Sequence, residues 1–259
     1  MQPAPAMTDL SGRVVLITGA SSGLGAHFAR AAAQAGAAVA LAARRKDRLT
    51  DLAAEIAAAG GRAVGIEMDV TDEQSVSAGF DAAQEALGTV NSVIANAGMN
   101  HPSSALGLPI EEFDRVVDVN LRGVFITARE AAKRMIAAGS PESGNGRIVL
   151  IGSVGSHRVL DKLVAYNTTK AAVLMMGKAL AKEWALKGIN VNTICPGWIK
   201  TELNSEWLDS PAGQALIASF PRKRVMAPED LAPITLYLLS DASRTITGGG
   251  FELDDGSSL

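Results

Sequence analysis

Only one cysteine, Cys195, occurs in the 259 residues, so no intrachain disulfide can form and a reducing cytoplasm is the natural setting. Histidine is nearly as scarce. His27, His101 and His157 are too dispersed, from one another and from Cys195, to suggest a metal site. Although 47% of the chain is hydrophobic, it has no unbroken apolar run of the roughly 18 residues needed to span a bilayer. The opening "MQPAPAMTDLSG" lacks the basic-then-apolar order of a signal peptide, and residues 1–10 read as a loose lead-in. Basic residues are not in excess: 24 Lys and Arg stand against 27 Asp and Glu, and none form a stripe suited to nucleic acid. Internal repeats and low-complexity linkers are missing too. These absences leave a soluble, cytoplasmic chain of a length that α/β folds commonly reach as one domain.

What is present alternates. Short apolar runs, "RVVLITG" (13–19), "AVALAAR" (38–44) and "AVGIEMDV" (63–70), are separated by alanine-rich helical stretches at 25–37 and 46–60. Further strand-like runs follow at 90–98, 146–155, 189–197 and 248–256. Between the third and fourth strands, Thr71 and Gln74 read as the two halves of a helix-capping box. Continuous apolar strands alternating with helices predict a parallel sheet covered on both faces. Right-handed crossovers then give a single-domain, Rossmann-type doubly wound α/β fold. The proline- and glycine-bearing segment 196–228 has no clear strand and is the expected substrate-binding lid.

At the first strand-to-helix turn lies "TGASSGLG" (18–25). Gly19, Gly23 and Gly25 would let the backbone turn tightly and approach a pyrophosphate, with helix N–H groups facing the phosphates. Their spacing is not the commoner G-x-G-x-x-G, and glycines at such a turn can also simply permit the bend. The second strand ends in Ala43, where a ribose-binding acid is expected in NAD enzymes, and Arg44 and Arg45 follow. No acidic residue occurs from Ala26 to Lys46. Guanidinium groups there suit a 2′-phosphate, so NADP(H) is favoured over NAD(H). Asp69 closes the third strand, where it can accept from an adenine amino group or merely sit solvated beside a helix start. Asn96, Ala97 and Gly98 form a small-residue loop after the fourth, where a cofactor could lie, although asparagine and glycine are also ordinary turn residues.

The stretch "YNTTK" places Tyr166 and Lys170 four residues apart on a helix, on one face. A phenol with a pKa near 10 is a poor acid–base group at neutral pH, but a cation close by favours the phenolate. Such a tyrosine can give a proton to a carbonyl or take one from an alcohol. Ser153, thirteen residues upstream, ends the strand "RIVLIGS". It falls at the carboxyl edge of the sheet, where its hydroxyl can donate to a developing oxyanion. Taken singly, each of these residues has an ordinary packing explanation.

Taken together, "TGASSGLG", "NAG", the Ser-x12-Tyr-x3-Lys spacing and "PGWIKT" occur in an order that resembles the classical short-chain dehydrogenase/reductase family, from about residue 10 to the terminal "DDG". Enoyl reductases of that superfamily have a longer tyrosine-to-lysine gap, and sugar-nucleotide epimerases have a longer carboxy-terminal region. The resemblance implies that Tyr166 is the acid–base and that Ser153 orients and polarises the substrate oxygen. It implies that Lys170 binds the nicotinamide ribose and lowers the tyrosine pKa. Asn120, in "VVDVNLRGVF", would hold a helix kink and a proton-relaying water. The cofactor would be held by Ser21, Ser22 and Leu24 beside the three glycines, and by Asp69 and Val70 on the adenine side. Asn96 to Gly98 would run beneath it, and Pro196, Gly197, Ile199 and Thr201 would meet its nicotinamide end. Arg44 matches the position that marks NADP preference. Ser22 stands where many NADP-preferring relatives have a basic residue, which leaves NAD(H) possible.

The substrate pocket is expected between Val154, His157 and Leu160 after Ser153, and Trp198 and Trp207 from the lid. Those side chains suit an uncharged, fairly bulky ketone or secondary alcohol. Lys162 and the run Arg222, Lys223, Arg224 suit instead an acidic or thioester-borne one, or are merely a solvated face. The expected activity is NADP(H)-dependent interconversion of a ketone and a secondary alcohol. The alternative is a non-catalytic NADP(H)-binding sensor, against which all four catalytic positions argue. Family members are commonly homotetramers, and the alanine-rich helices around 111–138 and 166–187 offer faces for such packing.

Overall fold

Continuous burial marks the central strands. In the computed structural model, which describes residues 8–202 and 204–259, every side chain of β1 (Val14–Thr18), β4 (Ser92–Ala95) and β5 (Gly146–Ile151) is buried. With β2 (Ala38–Ala43), β3 (Arg62–Glu67), β6 (Ile189–Pro196) and β7 (Gly250–Leu253) they form one seven-stranded sheet. Its order is β3-β2-β1-β4-β5-β6-β7, and every pairing is parallel. Val15 of β1 faces both Val39 of β2 and Ser92 of β4, so the chain winds one way from β1 and the other way from β4. A crevice opens above the carboxyl ends where the direction reverses.

The helices are α1 (Gly23–Gln34), α2 (Lys46–Ala58), α3 (Glu73–Leu87), α4 (Ile110–Val117), α5 (Gly123–Ala137), the one-turn α6 (Ser140–Ser143), α7 (Val164–Trp184), α8 (Ser205–Asp209), α9 (Pro211–Ser219) and α10 (Ala232–Leu239). They fill both faces of the sheet. One apolar cluster joins it to α3, α5 and α7 around Phe80, and the other to α1, α2 and α10 around Phe28. Both rings are buried, and each contributes roughly 2–3 kcal/mol by removal from water.

Several local readings need correction, and β4, β5 and β7 are shorter than the runs 90–98, 146–155 and 248–256 that suggested them, because the chain turns into loops at the carboxyl edge. The third strand stops at Glu67, not residue 70, because the backbone N–H of Asp69 turns to the Ser75 hydroxyl. The cap of α3 is Asp72, not Thr71: Asp72 accepts from the Gln74 backbone N–H, while the Thr71 hydroxyl donates to Asp69 Oδ1 at 2.8 Å. A carboxylate in register simply outcompetes the neighbouring hydroxyl. The lead-in expected over 1–10 falls mainly on residues 1–7, outside the described ones. Leu10 is fully buried, and its N–H donates to Ala35 O.

Candidate active site

The loop from β1 into α1 is shaped by close approach. Gly19 has φ +68°, and a Cβ there would come within 2.9 Å of Ala97 Cα; one on Gly25 would meet Gly19 O at 2.3 Å. No side chain caps the N-terminus of α1, because Ser22 Oγ accepts from Arg45 at 2.6 Å instead. The same guanidinium reaches Ser21 Oγ at 2.9 Å. Arg45 therefore brings a positive charge to the glycine loop at the place where the sequence itself has serine.

Beyond that loop opens a cleft of about 640 Å³ along the carboxyl edge. Its walls include every cofactor residue expected from the sequence except Gly25, which packs α1 against β1 behind the loop. Arg44 and Asp69 mark one end. Burial works against the Asp69 carboxylate, but the backbone and hydroxyl of Thr71 and the charge of Arg44 outweigh it and hold its pKa below the ordinary range. Asn96 is fixed by donating to Thr18 O at 2.8 Å, which sets the small-residue loop under the cleft. Thr201, from the segment after β6, crosses the mouth to face Gly23. Uncapped helix N–H groups, a glycine loop and arginines at one end fit a dinucleotide, with its phosphates at α1 and its adenosine near Arg44 and Arg45.

At the other end stand Ser153, Tyr166 and Lys170. Ser153 is buried, and its Oγ accepts from the Gly155 N–H at 3.0 Å, which fixes the serine at the start of a short 3-10 turn. Lys170 is buried and donates to Ile151 O at 2.8 Å, with its ammonium 5.6 Å from the centre of the Tyr166 ring. Burial lowers the Lys170 pKa to about 8. Part of Tyr166 faces the cleft, yet burial pushes its phenol above the ordinary value, against the pull of a hydrogen bond with Ser153. Among the protein's own groups the expected depression of Tyr166 by Lys170 is thus not what prevails. The ammonium is engaged by a main-chain carbonyl, and desolvation of the phenolate dominates.

Asn120 sits in a five-residue π turn, Asp118–Arg122, between α4 and α5. Its side chain accepts from Met99 N and donates to Met99 O, both at 2.8 Å, and also donates to Thr169 Oγ1 at 3.3 Å. Thr169 in turn donates to Tyr166 O. The widened turn therefore carries an amide that ties the loop after β4 to the helix holding the tyrosine. A Cβ on Gly98 would lie 3.5 Å from Asn120 Oδ1 and 3.6 Å from Lys170 Nζ, so the Gly98 backbone passes close to both.

The residues expected to bind substrate are less gathered. Val154, His157, Leu160, Trp198 and Trp207 do not line the cleft. Val154 is buried, His157 Nε2 lies 3.1 Å from Glu252 Oε1, and Trp198 stacks on Trp207 at 5.3 Å. His27 pairs loosely with Glu229 and His101 with Glu112. Ile151, Gly152 and Glu202 line the cleft and escaped the sequence reading. The first two were accessible in principle, as the end of β5 and the residue leading from it to Ser153; nothing in sequence marks Glu202.

A family model described as enoyl-(acyl carrier protein) reductase matches residues 19–258. The chain is 37% identical over 254 residues to a 3beta-hydroxysteroid dehydrogenase 1 of Eggerthella lenta, covering 97% of this chain and 95% of the relative. It is 35% identical over 250 residues to a D-threitol dehydrogenase of Mycolicibacterium smegmatis, covering 96% and 94%. The crystal structure of a short-chain type dehydrogenase/reductase from Mycobacterium marinum matches with a TM-score of 0.91 and 40% identity, covering 98% of both chains. A gluconate 5-dehydrogenase from Burkholderia cenocepacia, in complex with NADP and tartrate, matches at 0.91 with 31% identity over 97% of both. A 3-ketoacyl-(acyl-carrier-protein) reductase from Brucella melitensis, complexed with NADH, matches at 0.89 with 34% identity, over 97% of this chain and 100% of that one.

Proposed function

The chain belongs to the short-chain dehydrogenase/reductase family, and from that premise we propose that it interconverts a ketone and a secondary alcohol with NADP(H), using Tyr166 as its acid–base. The observation that carries this reading is the meeting of Ser153, Tyr166 and Lys170 at one end of a cleft whose other end holds Arg44 and Arg45. In the reducing direction the nicotinamide, when bound, supplies the hydride. Ser153 donates a hydrogen bond to the carbonyl oxygen and fixes its position. Tyr166 gives its phenolic proton to that oxygen as charge develops on it. Lys170 holds the nicotinamide ribose and opposes the negative charge left on the phenolate. Asn120 keeps the loop after β4 and the tyrosine helix in register. In the oxidising direction the proton returns to Tyr166.

Carbonyl rather than enoyl chemistry is supported by the short Tyr-x3-Lys spacing, despite the description of the family model. The relatives named above act, by their names, on D-threitol, a 3beta-hydroxysteroid, gluconate and a 3-ketoacyl thioester, which share an alcohol or ketone rather than a carbon skeleton. Preference for NADP(H) is supported by Arg45 at the glycine loop and by Ala43 where an acid would otherwise stand. A cytoplasmic setting is part of the same reading, supported by the single buried thiol. The deciding experiment follows NADPH and NADH consumption in parallel across ketones, diketones, oxoacyl thioesters and an enoyl thioester. Turnover of one carbonyl class, faster with NADPH, is expected. Reduction of the enoyl thioester alone would overturn the reading.

A further inference from the structure

Two carboxylates stand among the described residues of the cleft wall, Asp69 and Glu202. Asp69 is held by Thr71. Glu202 is placed differently: it comes from the segment after β6 and reaches across the mouth to the arginines behind β2. Its Oε1 and Oε2 accept from Arg48 Nη1 at 3.0 and 3.2 Å, and Oε2 lies 3.9 Å from Arg45 Nη1. Arg45 therefore has Ser21 and Ser22 on one side and Glu202 on the other. It bridges the phosphate loop and the lid.

The chemistry of this bridge depends on what enters. A phosphate monoester carries a charge of about −1.5 to −2 and three strong acceptor oxygens, against one unit of charge on a carboxylate. Guanidinium groups prefer the denser charge and can fork onto it. The two anions cannot share Arg45 without close like-charge contact. An unphosphorylated ribose brings only a neutral hydroxyl and has no cause to dislodge the glutamate. Glu202 itself is more than half exposed, so a swing into water costs it little.

We propose that Glu202 is a coenzyme-discriminating residue: its carboxylate holds Arg48 and faces Arg45, and Arg45 is one of the two arginines read as receiving an adenosine 2′-phosphate. A 2′-phosphorylated cofactor enters by displacing it and unties the lid from the start of α2, whereas an unphosphorylated one binds beneath a lid still tied. This rests on the reading that the adenosine lies at the Arg44–Arg45 end of the cleft.

The test measures affinities of 2′,5′-ADP and 5′-AMP by titration calorimetry at low salt, for the parent protein, Glu202→Gln, and Glu202→Gln combined with Arg45→Gln. Glu202→Gln should tighten 2′,5′-ADP about fivefold, the scale of an exposed ion pair. It should leave 5′-AMP within about twofold, since screening limits its reach. The gain should vanish once Arg45 is also changed. Equal gains for both ligands, no gain, or a gain that survives loss of Arg45 would overturn the proposal. Hydrogen exchange adds a second readout. Exchange in residues 198–220 of the parent should quicken with 2′,5′-ADP and not with 5′-AMP, and an unchanged lid with both would overturn the displacement. The NADP(H) reading is tested separately by the parent protein: if it binds 5′-AMP as tightly as 2′,5′-ADP, that reading fails, whatever Glu202→Gln does.

Discussion

Burial acts on both members of the Tyr166–Lys170 pair by favouring the neutral form, raising the phenol and lowering the ammonium to about 8. For Lys170 the linkage runs from a folded pKa of about 8 to an unfolded value near 10.5. Between those pH values the unfolded chain binds more protons, so this group's penalty on folding is complete below pH 8 and fades as pH rises toward 10.5. Lys170→Met removes that dependence. The melting temperature of the variant minus that of the parent should therefore fall as pH rises from about 7 to 10, measured by calorimetry at fixed ionic strength; a flat difference would refute the buried-ammonium assignment. Tyr166→Phe should cut kcat by roughly 10²–10⁴, the usual worth of general acid–base catalysis, with cofactor affinity unchanged in a fluorescence titration. A sensor's output would instead survive that change. Tyr166, Lys170 and Ser153 were legible in sequence because helix pitch and strand end fix their positions. The direction of the tyrosine pKa was not, since it depends on how deeply the whole cleft wall desolvates the ring.

Among the elements, the strands were the most legible, because burial on both faces leaves an unbroken apolar run that few other structures need. Helix starts were less so. Thr71 and Asp72 are adjacent candidates for one cap, and only the backbone's path decides which faces Gln74. Asp72→Ala should cost about 1 kcal/mol of stability in a urea titration, whereas Thr71→Val should leave the cap intact and act only on the Asp69 turn; equal losses would return the cap to Thr71. The π turn at Asn120 was foreshadowed only by the family resemblance, which implied a helix kink there, and not by the apolar periodicity. In the segment after β6, Trp198 and Trp207 stack on each other and Trp198 also meets Phe220 at 6.5 Å. Sequence offered these aromatics, but not their mutual packing.

For the molecule as a whole, the helices that the sequence offered for assembly carry exposed apolar side chains, Phe125 on α5 and Val164 and Met175 on α7, as do several loops. Met175 is 64% exposed. The homotetramer that the family resemblance implies should sediment as one species, and Met175→Glu should shift it toward smaller forms in analytical ultracentrifugation, by burying a charge where an apolar contact was; a parent protein that sediments as a monomer at working concentration would remove that expectation. The carboxy-terminal turn has a bearing on every such preparation. Asp255 pairs with Arg222 and Arg224 at 3.2 and 2.7 Å, Asp254 folds back onto Ser258, and Gly197 packs directly against Asp254. Both ends of the segment after β6 are thus moored to the last few residues. An affinity handle fused after Leu259 would therefore pull on the cleft's roof, and trimming there by a protease would loosen it.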